Sequence, residues 1–188
     1  MIKKLEDFDR YTIIAGFRNV KIKDINRFFS TVRRKTEDAY VQFFDAKLIT
    51  GWEHLYFAAL NALNAFKNKT NISKSVAVET LLYASAQGQI EKAMKLLGIK
   101  PESSQVAVLI VAETKQKAAS ALKTIPKLMI GERDDTILEL TKEKVKSIKG
   151  LFSISDLELE AKLEKKGFEK ETLIDLVIEH MALLATQR

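Results

Sequence analysis

The run QVAVLIVA at residues 105–112 constrains the fold most, because it is apolar on both alternating faces. A strand with one wet side alternates apolar and polar residues, so a run without that alternation predicts a central strand covered on both sides. Two further runs of strand length, RYTIIAGF at 10–17 and VQFFDA from Val41, combine β-branched and aromatic residues. TILEL at 136–140 is a fourth candidate with weaker alternation.

Helical patterns lie between these runs. Asp24 stands where it can cap a helix reaching Thr36, with Ile25, Phe28, Phe29 and Val32 on one face and Arg27, Arg33, Arg34 and Lys35 on the other. The Ala- and Leu-rich stretch 51–66 carries almost no charge after Glu53 and predicts a nearly engulfed helix. A pair follows at 76–86 and 89–97, broken at Gly88 and ended by Gly98. Further helices are predicted at 114–124, 141–149, 156–166 and 170–186. The expected architecture is a single α/β domain over residues 1–188, a small mixed sheet of about four strands packed by about seven helices. Residues 1–9 are expected to form an N-terminal extension.

The last helix is unusual. Thr172, Asp175, Glu179 and Thr186 trace one narrow polar stripe, and apolar residues fill nearly all the rest. Either the helix is packed on more than one side within the domain, or part of it docks a partner.

Composition removes several chemistries. The 188 residues contain no cysteine, which excludes disulfide frameworks, cysteine-ligated zinc, iron–sulfur clusters and thiol catalysis. No stretch approaches the 18 apolar residues of a membrane span, and no secretory leader is seen, so a cytoplasmic protein without membrane contact is expected. His54 and His180 are the only histidines, and Glu53-His54 lacks the second histidine of a helical zinc site. No glycine-rich phosphate loop or nucleophile elbow occurs. A small enzyme would have to gather Glu53, His54 and another polar group. Net charge is +6, and by segment it is +4 for residues 1–50, +3 for 51–100, +2 for 101–150 and −3 for 151–188. A nucleic-acid surface, if the chain has one, is therefore expected in the first hundred residues.

Three stretches carry a resemblance: VQFFDAKLITGWEHLYFAALNALNAF, NISKSVAVETLLYASAQGQIEKAMKLLGI and QVAVLIVAE. Together they resemble the Cgi-type subunit of the KEOPS complex, the family that includes the human PRPK-binding protein. KEOPS makes threonylcarbamoyladenosine in tRNA. The resemblance implies a non-catalytic subunit, with no cofactor or metal, that binds the Rio-like kinase subunit, an ATPase, and through it meets the threonylcarbamoyl transferase subunit. In archaeal complexes such a subunit helps recruit tRNA through its single-stranded 3′ CCA end.

For the kinase surface the candidates are Ile72, Leu173, Ile174 and Val177, with burial inside the domain as the alternative for each. For tRNA they are Lys69, Lys74, Gln87, Gln89, Lys92 and Lys95, with an ordinary solvated surface as the alternative. Lysines neutralise phosphates, and glutamine amides can bond unpaired base edges. Archaeal members typically have an arginine where this chain reads Gln87-Gly88-Gln89. A protein-only scaffold that stimulates the kinase without touching RNA is the second reading.

Overall fold

Strand β4 (Val106–Ala112) is buried at every residue, as its unbroken apolar run requires. In the computed structural model, which describes residues 1–163 and 165–187, it lies between β2 (Arg10–Lys21) and β3 (Ala39–Asp45). Both neighbours run antiparallel to it, with Ile13 opposite Ile110 and Phe43 opposite Val108. The twelve-residue β2 carries two short strands on its other edge. Its first part pairs with β1 (Ile2–Leu5) and its later part with β5 (Ile130–Arg133), both antiparallel.

Three expectations change. The sheet has five strands and is antiparallel throughout rather than mixed. The helix between β2 and β3 does make those two strands point the same way, but β4 inserts between them and runs opposite to both. The TILEL segment is not a strand. Its first residues form a 3-10 turn that buries Leu138, and the strand lies earlier, at 130–133. Gly16 explains the difference. The Asp134 N–H donates to the Gly16 carbonyl and the Gly16 N–H donates to Asp135 Oδ1, both at 2.9 Å. A Cβ on Gly16 would stand 2.4 Å from the Asp134 carbonyl oxygen, so only glycine admits the turn onto β2. Finally, residues 1–9, expected to be an extension, contribute β1 and a 3-10 turn, and Leu5 is fully buried.

Helices cover both sheet faces. On one side lie α1 (Ile25–Lys35) and α5 (Lys115–Thr124), whose Phe28, Val32, Ala118 and Ala121 pack with Ile13, Phe17, Phe43 and Val108. Asp24 caps α1 as expected, accepting from the Arg27 N–H at 2.9 Å. The other side holds α2 (Trp52–Lys67), α3 (Val76–Ala84), α4 (Ile90–Leu97), α6 (Lys142–Phe152) and α8 (Glu169–Leu183), in one core with Ile14, Phe44, Leu109 and Val111. Ala58, Ala59, Ala62 and Ala65 make α2 thin enough for its neighbours to approach closely. The short α7 (Asp156–Lys162) packs on α8. Among the described residues no helix is long and apolar enough to cross a membrane.

Candidate functional site

α2 and α3 form an antiparallel pair whose two ends carry most of the candidate residues. The pair is pinned where α2 begins and α3 stops. His54 is fully buried, and its Nε2 donates to the Ala84 carbonyl at 2.8 Å while Nδ1 accepts from the Thr50 N–H at 3.4 Å. Burial pushes its pKa down to about 4, helped by the nearby Lys144 and opposed by the bond to Ala84, so the ring is neutral at pH 7. Both nitrogens are committed to backbone, which makes His54 a structural residue. Lys144, lowered to about 8 by burial, donates to the Ile137 and Ile49 carbonyls at 2.6 and 3.2 Å and braces the same end.

At the opposite end, α2 closes in a Schellman turn. The Lys69 N–H reaches the Phe66 carbonyl and the Thr70 N–H the Ala65 carbonyl, with Lys69 left-handed at φ 59°. The chain then passes through Asn71 to Ser75. The Glu79 carboxylate, fully buried on α3, accepts from the Ile72 and Ser73 N–H groups at 3.1 and 2.7 Å. This anchor holds Ile72 out, 44% exposed, between the exposed Lys69 and Lys74. A buried carboxylate seven residues downstream is the residue that sequence reading misses. Its only signal is a glutamate on an otherwise apolar face.

The far end of α3 repeats the device. Ala86, at φ 49°, is its left-handed residue, and the Gln87 N–H returns to the Leu82 carbonyl. The helix therefore breaks at Ala86 and not at Gly88. Gln87 is half-buried in a small hollow with His180 and Leu183 at the end of α8, while Gln89 is exposed ahead of α4. On α4, Lys92 and Lys95 are exposed, and Lys95 pairs with Glu91 at 2.7 Å. Beside them Ile90 and Met94, one turn apart, are 42% and 41% exposed. Their spacing reads as a buried helix face, which hides them from a reading of the sequence.

The structure regroups the predicted sets. Ile72 sits with the RNA candidates Lys69 and Lys74, and Gln87 sits with the end of α8. Leu173 and Val177 are 1% and 0% exposed, inside the core, where α8 packs on α2, α3 and α7. Most of the wide apolar face of α8 is covered within the domain, and neither of these two residues is on the surface. Ile174 is half-buried beside Gly51 at the start of α2, a helix length away from Ile72.

A model of the family described as "Kinase binding protein CGI-121" matches residues 17–185. The chain belongs to this family. It is also 29% identical over 164 residues to the "Regulatory protein Cgi121" of Methanocaldococcus jannaschii, covering 87% of this chain and 97% of that protein. The match spans all eight α-helices and strands β3 to β5, together with the end of β2 from Phe17 on, and so includes both ends of the α2–α3 pair.

Proposed function

We propose that this chain is a non-catalytic, cytoplasmic subunit of a KEOPS-type complex, which binds the Rio-like kinase subunit and helps bring tRNA to the transferase through its 3′ CCA end. The family match over residues 17–185 is the observation that carries the reading. Ile72 is the kinase contact in this proposal, since it is an exposed apolar residue held by Glu79 on a braced loop. Ile174 contributes only at its exposed edge. Gln87, Gln89, Lys92 and Lys95 offer the 3′ end amides and cations around the exposed Ile90 and Met94, with Lys69 and Lys74 at the other end of α3.

Two titrations test it. Calorimetry with the kinase subunit should show binding that Ile72→Glu weakens at least tenfold; unchanged affinity would remove this surface. Anisotropy with intact tRNA and with tRNA lacking its CCA end should show weaker binding on truncation. Equal binding of the two RNAs would return the chain to the protein-only scaffold.

A further inference from the structure

The excess positive charge of the chain is not spread over its surface. Residues 21–36 and 114–129, which contain α1 and α5 and their flanking turns, hold 10 basic residues and 1 acidic one, while the rest of the chain is net −3. Both helices bury their inner sides against the same face of the sheet, so this charge lies on one side of the molecule, across the sheet from α2, α3 and α4. Of the ten cations only Lys117 forms an ion pair among the described residues, with Asp38 and Glu113; the other nine are exposed.

Their placement is ordered. Arg27, Thr31 and Arg34 follow one stripe of α1, and the two guanidinium-bearing positions are about 10 Å apart along the axis. At the start of the stripe lies a hollow of about 460 Å³, rimmed by Lys21, Lys23, Arg27 and Lys127 over Phe28 and Met129. The one carboxylate on the rim, Asp24, is already engaged as the cap of α1.

We infer that the α1–α5 face is a binding surface for the sugar-phosphate backbone of a folded RNA, centred on Arg27, Arg34 and Lys127. Protein interfaces are depleted in lysine and need an apolar centre, and membrane-surface helices need large apolar side chains to insert. Among the described residues neither α1 nor α5 exposes a large apolar side chain, and of the residues lining the hollow Ile130, on the edge strand β5, is the one exposed large apolar residue, too little for an apolar centre. Unpaired cations with a single carboxylate, Asp24, among them suit repeated phosphates. The inference rests on the reading that the chain handles RNA, yet it is independent of where the 3′ end is held.

The test is anisotropy with a labelled, blunt RNA hairpin whose stem is about 16 base pairs, at several salt concentrations. Wild-type protein should bind with a steep salt dependence. Arg27→Gln/Arg34→Gln/Lys127→Gln should weaken binding about tenfold or more and flatten the log–log slope by about two to three units, one for each phosphate no longer neutralised. Lys69→Gln/Lys74→Gln/Lys92→Gln should stay within about twofold on this probe, in contrast to its effect on CCA-bearing tRNA. The substituted side chains are exposed, and an unchanged melting curve verifies the fold. Wild-type affinity in the first variant, or no hairpin binding by wild type at low salt, would overturn the inference. So would displacement of the hairpin by polyglutamate at equal charge, which would assign the face to an acidic protein. Because the hairpin has no CCA end, failure here with CCA-dependent tRNA binding intact leaves the proposed function standing.

Discussion

His54 Nε2 on α2 donates to the carbonyl oxygen of Ala84 on α3 at 2.8 Å, with no solvent exposure at the histidine. This one bond locks together the ends of two helices that carry candidate binding residues, and the Thr50 N–H, donating to Nδ1 on the other side, holds the neutral ring as the Nε2–H tautomer.

The burial of this ring makes stability depend on pH. The unfolded chain takes up a proton on this histidine below about 6.5, whereas the folded chain resists until about 4. Between those values the unfolded state binds more protons, so stability falls as pH is lowered through the window and levels off beneath it. The shift corresponds to about 3 kcal/mol across the window. Urea melts at pH 7 and pH 4.5 should show most of that decrease, and His54→Gln, which keeps a donor toward Ala84 but cannot titrate, should reduce the difference. An equal pH dependence in both proteins would refute the assignment.

A second prediction separates core from surface in the kinase set. Leu173→Glu or Val177→Glu places a carboxylate among Leu176, Met181 and the alanines of α2, at a cost of about 4 kcal/mol or more, enough to unfold the domain. Ile72→Glu faces solvent and should shift the thermal midpoint by no more than about 2 °C. Circular dichroism melts of the three variants decide it. A native-like melt for Val177→Glu would mean that α8 is not packed as described.

What is legible in the sequence follows from how local each determinant is. The strand β4, the Asp24 cap and the apolar face of α1 are set by neighbouring residues, and sequence and structure agree on them. The α/β class follows from their alternation. The antiparallel sheet is not legible, because strand order depends on β4 inserting between β2 and β3, a pairing that spans about half of the chain. TILEL misleads because Gly16, more than a hundred residues away, decides how residues 134–137 approach the sheet. Of the site, the exposed lysines are visible from composition. The burial of Leu173 and Val177 is not, since an apolar helix face looks the same whether a partner or its own domain covers it.

The loop that displays Ile72 should respond to its hidden anchor. Glu79→Ala leaves the Ile72 and Ser73 N–H groups without the carboxylate that accepts them, and costs about 2–4 kcal/mol. The loop would also give up its fixed shape, so kinase affinity should fall even under conditions where the domain stays folded. Hydrogen exchange at the Ile72 and Ser73 amides provides the direct readout. Unchanged protection there would show that other groups hold the loop.

The turn after α3 offers a gain in both stability and RNA affinity, because its glycine stands two residues from where the backbone wants one. Ala86 occupies the left-handed position, a conformation that costs an L-residue about 1 kcal/mol relative to glycine. Gly88 has no left-handed φ, and a Cβ built on it meets nothing within 4 Å. Ala86→Gly should therefore stabilise the domain by about 0.5–1 kcal/mol. Gly88→Arg should leave stability unchanged within about 0.5 kcal/mol, because removing a glycine where the conformation is ordinary costs nothing sterically. The same substitution restores a cation of the kind the Cgi-type resemblance places in this stretch, next to Gln87 and Gln89. Affinity for CCA-bearing tRNA should then rise about threefold or more, and the salt slope should steepen by about one unit. A rise that appears equally on tRNA lacking the CCA end would place the new contact on the RNA body instead, and no change on either RNA would remove the α3–α4 turn from the RNA surface.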